Sequence, residues 1–298
     1  MKRGSVLFRL SAGLLTGLLC FTSLPADAAT PTQGERESIT MSPTSKHYDL
    51  KAGGTRRDEL TIVNDGETDY AFRVYAAPYS VQDENYEPDF STMRQNTDIE
   101  SWIDFEKRSY FVRAGETVTV KYTVAVPENA TPGGHYGVLF AETQPTGVPT
   151  ATSVERKKRV GAIVYATVDG EYQVGGKMVE FDLPGLQFIS PLKAMMLVEN
   201  TGNADFAVNT RMLVTDLFGN KKYEVTKTYQ VLPASQRKIT MDWPQSPSFG
   251  LFKVTASAEF LGQDTVKEKY VLMAPVWMYL AAVIGLLVLI IYYVQKRR

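Results

Sequence analysis

The chain has 298 residues, with 32 Lys and Arg against 33 Asp and Glu, a formal net charge of −1, and 44% hydrophobic residues. This near-neutral balance, without a broad basic field, argues against nucleic acid as a partner. The one cysteine, Cys20, lies in the extreme N-terminal stretch, so the rest of the chain has no disulfide, thiol nucleophile or thiolate metal site.

Taken in chain order, Lys2 and Arg3, the apolar run Leu14 to Leu24 and the small-x-small site Ala26-Asp27-Ala28 predict a secretory signal over residues 1–28. Leu19 before Cys20 is not the small residue that a lipoprotein signal needs. Residues 29–38 (ATPTQGERES) are polar and aperiodic and predict a flexible leader, with order beginning near Ile39.

From there YDLKAG, DELTIVN, YAFRVYA, TVTVKYTVAV, HYGVLFAE and GAIVYATV alternate apolar and polar residues and are rich in Val, Thr, Tyr and Phe. Gly, Pro, Asn and Asp punctuate them, at AGG 52–54, NDG 64–66, AGE 114–116 and PENATPGG 127–134. Short strands with such turns predict antiparallel β-sandwich. DIESWIDFEK, residues 98–107, is the stretch that a helix would suit, although Trp102, Ile103 and Phe105 also suit a cap over the open end of the core.

IVNDGETDYAF, residues 62–72, returns as VENTGNADFAV, residues 198–208, with Asn64, Gly66, Asp69 and Ala71 matched by Asn200, Gly202, Asp205 and Ala207. In both an apolar strand ends at Asn, a Gly two residues on is expected to supply a positive φ, and an inward-facing aromatic starts the next strand. Downstream, TVTVKYTVAVP leads through a Pro/Gly loop into YGVLFAE, as RKITMDWP leads through PQSPSFG into LFKVTASAEF. The expected fold is therefore all-β, two tandem immunoglobulin-like β-sandwiches at 39–170 and 171–272.

After them APVWMYLAAVIGLLVLIIYYVQKRR carries no charge from Ala274 to Lys296, enough to cross about 30 Å of hydrocarbon as a helix. A transmembrane helix is expected at 274–294, with Trp277 and Tyr279 at one interface, Tyr292 and Tyr293 at the other, and a basic tail at 295–298. Basic residues stay cytoplasmic, which places both sandwiches outside a single-pass cell-membrane protein.

Chemistry is sparse. Two histidines, His47 and His135, stand without ligand spacing, and DENYEPD at 83–89 is too thin for a Ca²⁺ loop, so no metal is expected. There is no G-x-S-x-G, and the GG pairs at 53–54, 133–134 and 175–176 read as turn glycines without a following Lys-Ser/Thr, so no catalytic residue or cofactor is assigned. A carboxylate pair brought together in space would make the rival a tethered cell-wall hydrolase or transferase. Candidate binding residues are Tyr75, Tyr79, Tyr86, Trp102, His135 and Tyr136, rings placed to stack on sugars or to bury in a partner, or else to pair within the sheets. ERKKR, residues 155–159, reads as a solvated hairpin loop or a contact for anionic wall polymer.

The segments LKAGGTRRDELTIVNDGETDYAFRVYAAPY (50–79), FVRAGETVTVKYTVAVPENATPGGHYGVLFAE (111–142) and RVGAIVYATV (159–168) resemble the N-terminal peptidoglycan-binding domain of the WxL-interacting proteins of Gram-positive bacteria. The resemblance covers roughly half the chain. It implies two immunoglobulin-like domains, a signal peptide and a C-terminal anchor, a first domain that contacts peptidoglycan, and a second that contacts a protein partner or host ligand. The second sandwich looks like a generic cell-surface β-sandwich. The expected function is non-catalytic adhesion or scaffolding, with peptidoglycan or another wall polymer, a WxL-type or other surface protein, and the membrane as partners. An assembly chaperone resembling those of periplasmic pili, suggested by SPTSKHYDL near the first strand, is the further alternative, against which the C-terminal anchor argues.

Overall fold

A computed structural model of the chain describes residues 38–94, 96–144 and 157–297. The expected signal, the leader up to residue 37, and Glu155 and Arg156 of the basic run lie outside the described residues. The first sandwich opens with β1 (Thr40–Ser42), β2 (Ser45–Leu50), β3 (Thr55–Val63) and β4 (Tyr70–Pro78). A small hairpin, β5 (Ser80–Val81) and β6 (Pro88–Asp89), and a 3-10 turn at Asp98–Trp102 follow. The domain closes with β7 (Ile103–Phe105), β8 (Ser109–Val112), β9 (Thr117–Ala125), β10 (Gly133–Gln144) and β11 (Arg159–Val168). One sheet has the order β1-β3-β9-β7, and the facing sheet β2-β11-β10-β4-β8.

The second sandwich comprises β12 (Gly176–Asp182), β13 (Leu186–Gln187), β14 (Leu192–Asn200), β15 (Phe206–Thr215), β16 (Lys221–Val231), β17 (Gln236–Trp243), β18 (Gly250–Phe260) and β19 (Gln263–Met273). Its sheets run β12-β14-β17 and β13-β19-β18-β15-β16. Each of these strands has a counterpart in the first sandwich, in the same order. In both, the first strand changes sheets part-way: β1 and β12 pair antiparallel with β3 and β14, while β2 and β13 pair parallel with β11 and β19.

The repeated turn is the same structure twice. The Asn64 carboxamide donates to Thr68 O at 2.7 Å and accepts from Gly66 N at 3.0 Å. Asn200 donates to Ala204 O at 2.9 Å and accepts from Gly202 N at 2.8 Å. Both carboxamides are buried, so these bonds satisfy groups that would otherwise be stranded. Gly66 and Gly202 are not among the positive-φ glycines, contrary to expectation. At position 202 the requirement is space, because a Cβ would stand 2.3 Å from Gln173 O.

Alternation builds each core, as in the buried–exposed repeat of β9 and of β14. Phe72, Ile62, Val120 and Tyr122 fill the first, and Met196, Met212, Ile239 and Val254 the second. Trp102, Ile103 and Phe105 join the first core from the 3-10 turn and β7, as a cap over the sandwich end; no α-helix forms there. β10 breaks the rule, since every residue from Gly133 to Ala141 is buried.

The apolar helix α1 spans Val276–Arg297, two residues after β19, with mean hydropathy 2.3 over its most apolar window and no part of that window buried. It starts two residues later than expected, after Pro275, and continues through Lys296 and Arg297 as helix. Asn200→Ala leaves Gly202 N and the carbonyls of Ala204 and Val231 without their carboxamide partner and is expected to cost about 1–3 kcal/mol. Asn64→Ala, with two such bonds to lose, should lower the urea midpoint less.

Candidate functional site

The outer face of β10 and β11 is covered by a third, smaller core that the two sandwiches share. Tyr79, Val81 and Tyr136 from the first meet Leu232 from the second, with Tyr86, Phe90, Ile163 and Tyr165 packed around them. The segment that folds over β10 leaves β4 and rejoins at β8, where the second sandwich has only the short turn from β15 to β16. This insertion is the reason that both faces of β10 are buried.

Polar contacts complete the joint. The Tyr136 hydroxyl donates to the Asp205 carboxylate and accepts from Asp205 N, each at 2.9 Å. The Tyr86 hydroxyl accepts from Leu232 N at 2.6 Å and bonds Ser235 Oγ at 2.8 Å, while the Arg237 guanidinium lies 4.0 Å from its ring centre. Glu84 pairs with Lys238 at 3.2 Å, and Glu84 O accepts from Lys238 N at 2.6 Å. Gly134 N donates to Asn203 O at 2.8 Å. A Cβ on Gly133 would meet Asn203 O at 2.7 Å, so this pair of glycines permits backbone approach between domains rather than merely a turn.

The structure thus separates the six ring-bearing candidates. Tyr79, Tyr86 and Tyr136 belong to the joint, and their hydroxyls or rings are spent on it. Trp102 and His135 are buried against each other with ring centres 4.6 Å apart, and the imidazole bridges Asp98 Oδ1 at 2.6 Å and Thr131 O at 2.8 Å. None of these five rings offers an open face for stacking on sugar. Tyr75 and Tyr86 are the two of the six that are partly exposed, and the Tyr86 ring is covered by the Arg237 guanidinium. The residues that sequence reasoning did not assign to a site are the partners across the joint, Asn203, Asp205, Leu232, Ser235, Arg237 and Lys238. The signal that would have found them is the extra length between β4 and β8 when the two copies are laid side by side.

Tyr75 sits in a second cluster on the same face of the first sandwich, joined to the shared core through Phe90. Its hydroxyl donates to Glu142 at 3.0 Å, and Glu142 also holds Arg73 at 3.0 Å. Phe140 lies 5.5 Å from Tyr75 and 5.1 Å from Phe90, with the Arg159 guanidinium 4.2 Å above the Phe140 ring. A Cβ on Gly161 would fall 2.8 Å from the Phe140 ring, so glycine lets that ring lie across β11.

Among the described residues, the backbone beside this cluster has no partner strand on its outer side. β2 pairs with β11 over Ile163–Val168 only, and Ile163 N bonds outward to Thr44 O at 3.0 Å. Strand alternation therefore turns the N–H and C=O groups of Gly161 and Arg159 to the same outer side, where no described strand pairs with them. Lys158, one residue on, faces inward and exchanges bonds with Thr143. The cluster and the open edge together suit an extended peptide, which would pair through backbone and rest side chains on Phe140 and Arg159.

The acid-rich surface does not form a comparable reactive site. Asp58, Glu59 and Glu106 line a shallow cleft of about 560 Å³. Asp58 is ion-paired with Lys46 at 2.9 Å and accepts from Tyr48, and against the upward push of burial these bonds hold its carboxyl below the ordinary range. Burial pushes the Asp205 carboxyl up, and that group is in the joint.

No protein-family model matches the chain. No curated protein matches it either. Among solved structures, a chain of the Salmonella enterica SafA pilin–SafB chaperone complex shares 12% identity, covering 80% of this chain and 97% of its own, with a TM-score of 0.40. The Pseudomonas aeruginosa CupB2 chaperone gives 10% identity, 78% and 100% coverage and a TM-score of 0.39. A PapD-like domain of human CEP192 gives 16%, 55% and 99%, and 0.32. At these values the likeness says nothing of ligand or partner.

Two outcomes test the joint. Tyr86→Phe removes the contacts to Leu232 N and Ser235 and is expected to lower the unfolding free energy by about 1–3 kcal/mol. Because the folded carboxyl of Asp205 is raised above its unfolded value, its contribution to stability is full at low pH and is lost as pH rises through the folded pKa. Melting temperature should therefore carry a downward slope with pH above about 4 that Asp205→Asn removes, while the neutral amide keeps an acceptor for Tyr136.

Proposed function

We propose that the protein is a membrane-anchored, non-catalytic surface protein that holds an extended segment of another surface polypeptide. The observation that carries this reading is the open edge of β11 at Arg159 and Gly161 beside the Tyr75, Phe90 and Phe140 cluster. The edge supplies backbone pairing without sequence demand, and the rings and Arg159 select what lies over them. In this reading α1 spans the membrane with Lys296 and Arg297 inside and the sandwiches outside. The protein combines an anchor with the strand-accepting role of an assembly chaperone, and the resemblance to WxL-interacting proteins supports a wall-associated protein as the donor of the segment.

Wall glycan is the second reading. It rests on Tyr75 and Phe90, which are partly exposed and flanked by Arg73 and Glu142 as polar partners for hydroxyls. It has a smaller footing than expected from sequence, because the other five candidate rings are engaged inside the protein.

A benzophenone amino acid at the exposed Lys157, in cells producing the full chain, distinguishes these readings. Polypeptide adducts are expected, and muropeptide adducts would replace this reading with the glycan one. Arg159→Pro removes an outward N–H while leaving the pairing with β10, and should abolish the adducts. Arg159→Ala keeps the N–H and loses the guanidinium, a cost of about 0.5–1 kcal/mol that should lower their yield only a few-fold. Equal adduct yield from Arg159→Pro and the parent would rule out strand addition.

A further inference from the structure

Three separate turns of the second sandwich end in exposed apolar side chains. Phe188 and Ile189 follow β13, Leu217 and Phe218 form the β15–β16 turn, and Phe249 precedes β18. Ile189 is 72% and Phe218 91% exposed, and apolar tips gathered at one end of a domain mark an interaction surface. The strand registers place all three turns at one end. Leu186 pairs with Leu272, Gly250 with Met273, and Thr215 with Lys253, so each turn lies beside the terminus of β19 from which α1 departs. The opposite end carries the turns at Asn203 and Leu232 and is covered by the joint.

The connection to α1 is too short to hold these tips away from it. Leu272 N and Ala274 N bond back to Gly185 O at 2.9 Å and Gln187 O at 3.1 Å, so the chain is fixed to the sandwich up to the residue before Pro275. The Phe188 ring then packs edge-on against Tyr279, with centres 5.2 Å apart. Tyr279 lies three residues into the helix, about 5 Å along its axis, where an aromatic ring marks the level of the headgroups.

From this geometry we propose that the second sandwich is seated on the outer surface of the bilayer that α1 enters, with Ile189, Phe218 and Phe249 inserted among the headgroups. The occupant of the apolar rim is lipid because the rim is continuous, through Phe188 and Tyr279, with the helix itself. The inference rests on the reading of α1 as a membrane span, and the two can fail separately.

The test uses the chain from residue 29 onward in phosphatidylcholine vesicles. The chain's one cysteine, Cys20, lies before residue 29, so single-cysteine variants take one environment-sensitive fluorophore each. Lipids brominated high on the acyl chain are expected to quench probes at Phe218→Cys and Ile189→Cys. They should spare a probe at Gln263→Cys, in the far turn between β18 and β19. A probe at Gly285→Cys, where an added Cβ meets nothing within 4 Å, should be quenched by deeply brominated lipid. If Gly285→Cys is quenched while Phe218→Cys and Ile189→Cys behave as Gln263→Cys does, the sandwich stands clear of the bilayer and the proposal is overturned with the span intact. If Gly285→Cys is unquenched, both readings fall. Adding Phe218→Asp and Phe249→Asp to the Ile189→Cys chain should abolish its quenching; persistence would show that the fluorophore alone partitions and would overturn the seating.

Discussion

The arrangement of this protein depends on how the outer face of β10 is buried. A strand with both faces covered cannot be served by one sandwich core, so Tyr136 and its neighbours need a second set of partners. Part of that set is the insertion between β4 and β8, and the rest is the end of the second sandwich. Leu232 supplies apolar contact, and Asp205, Ser235 and the backbone of Leu232 satisfy the Tyr136 and Tyr86 hydroxyls that burial would otherwise strand. Two domains joined by such a shared core are held by more than their linker. That order fixes which end of the assembly is open and which end meets α1.

The fold was legible because its signals are local. Period-two alternation marked the strands, and the repeated Asn-x-Gly turn announced a duplication that the matching strand orders of the two sandwiches bear out. Even there the reason assigned to glycine differed: Gly202 is required by the closeness of Gln173 O, a contact with a segment 29 residues away in the chain, and not by its own φ. A turn motif identifies the local hydrogen bonds that Asn200 makes, but not what packs against the outside of the turn.

The site was less legible for the same reason. Tyr75, Tyr79, Tyr86, Trp102, His135 and Tyr136 are equally aromatic or polar in sequence, and only tertiary placement decides which are spent internally. His135 and Tyr136 adjoin each other on β10, yet one side chain enters the cap formed by Asp98 and Trp102 and the other enters the joint. The open stretch of β11 was invisible for a different reason: an unpaired edge is a property of where β2 begins, and β2 is more than 100 residues upstream of Arg159. ERKKR was read as a basic run, whereas Arg159 belongs to the strand and lies across Phe140.

The direct passage of β19 into α1 has a mechanical consequence. β19 is hydrogen-bonded to β18 from Gln263 to Met273, and a pull from the membrane would enter at the Met273 end, along the strand. Under the proposed anchoring and capture, tension between partner and lipid would thus shear the whole ladder at once, the loading geometry in which many bonds share the force, instead of peeling them apart one after another.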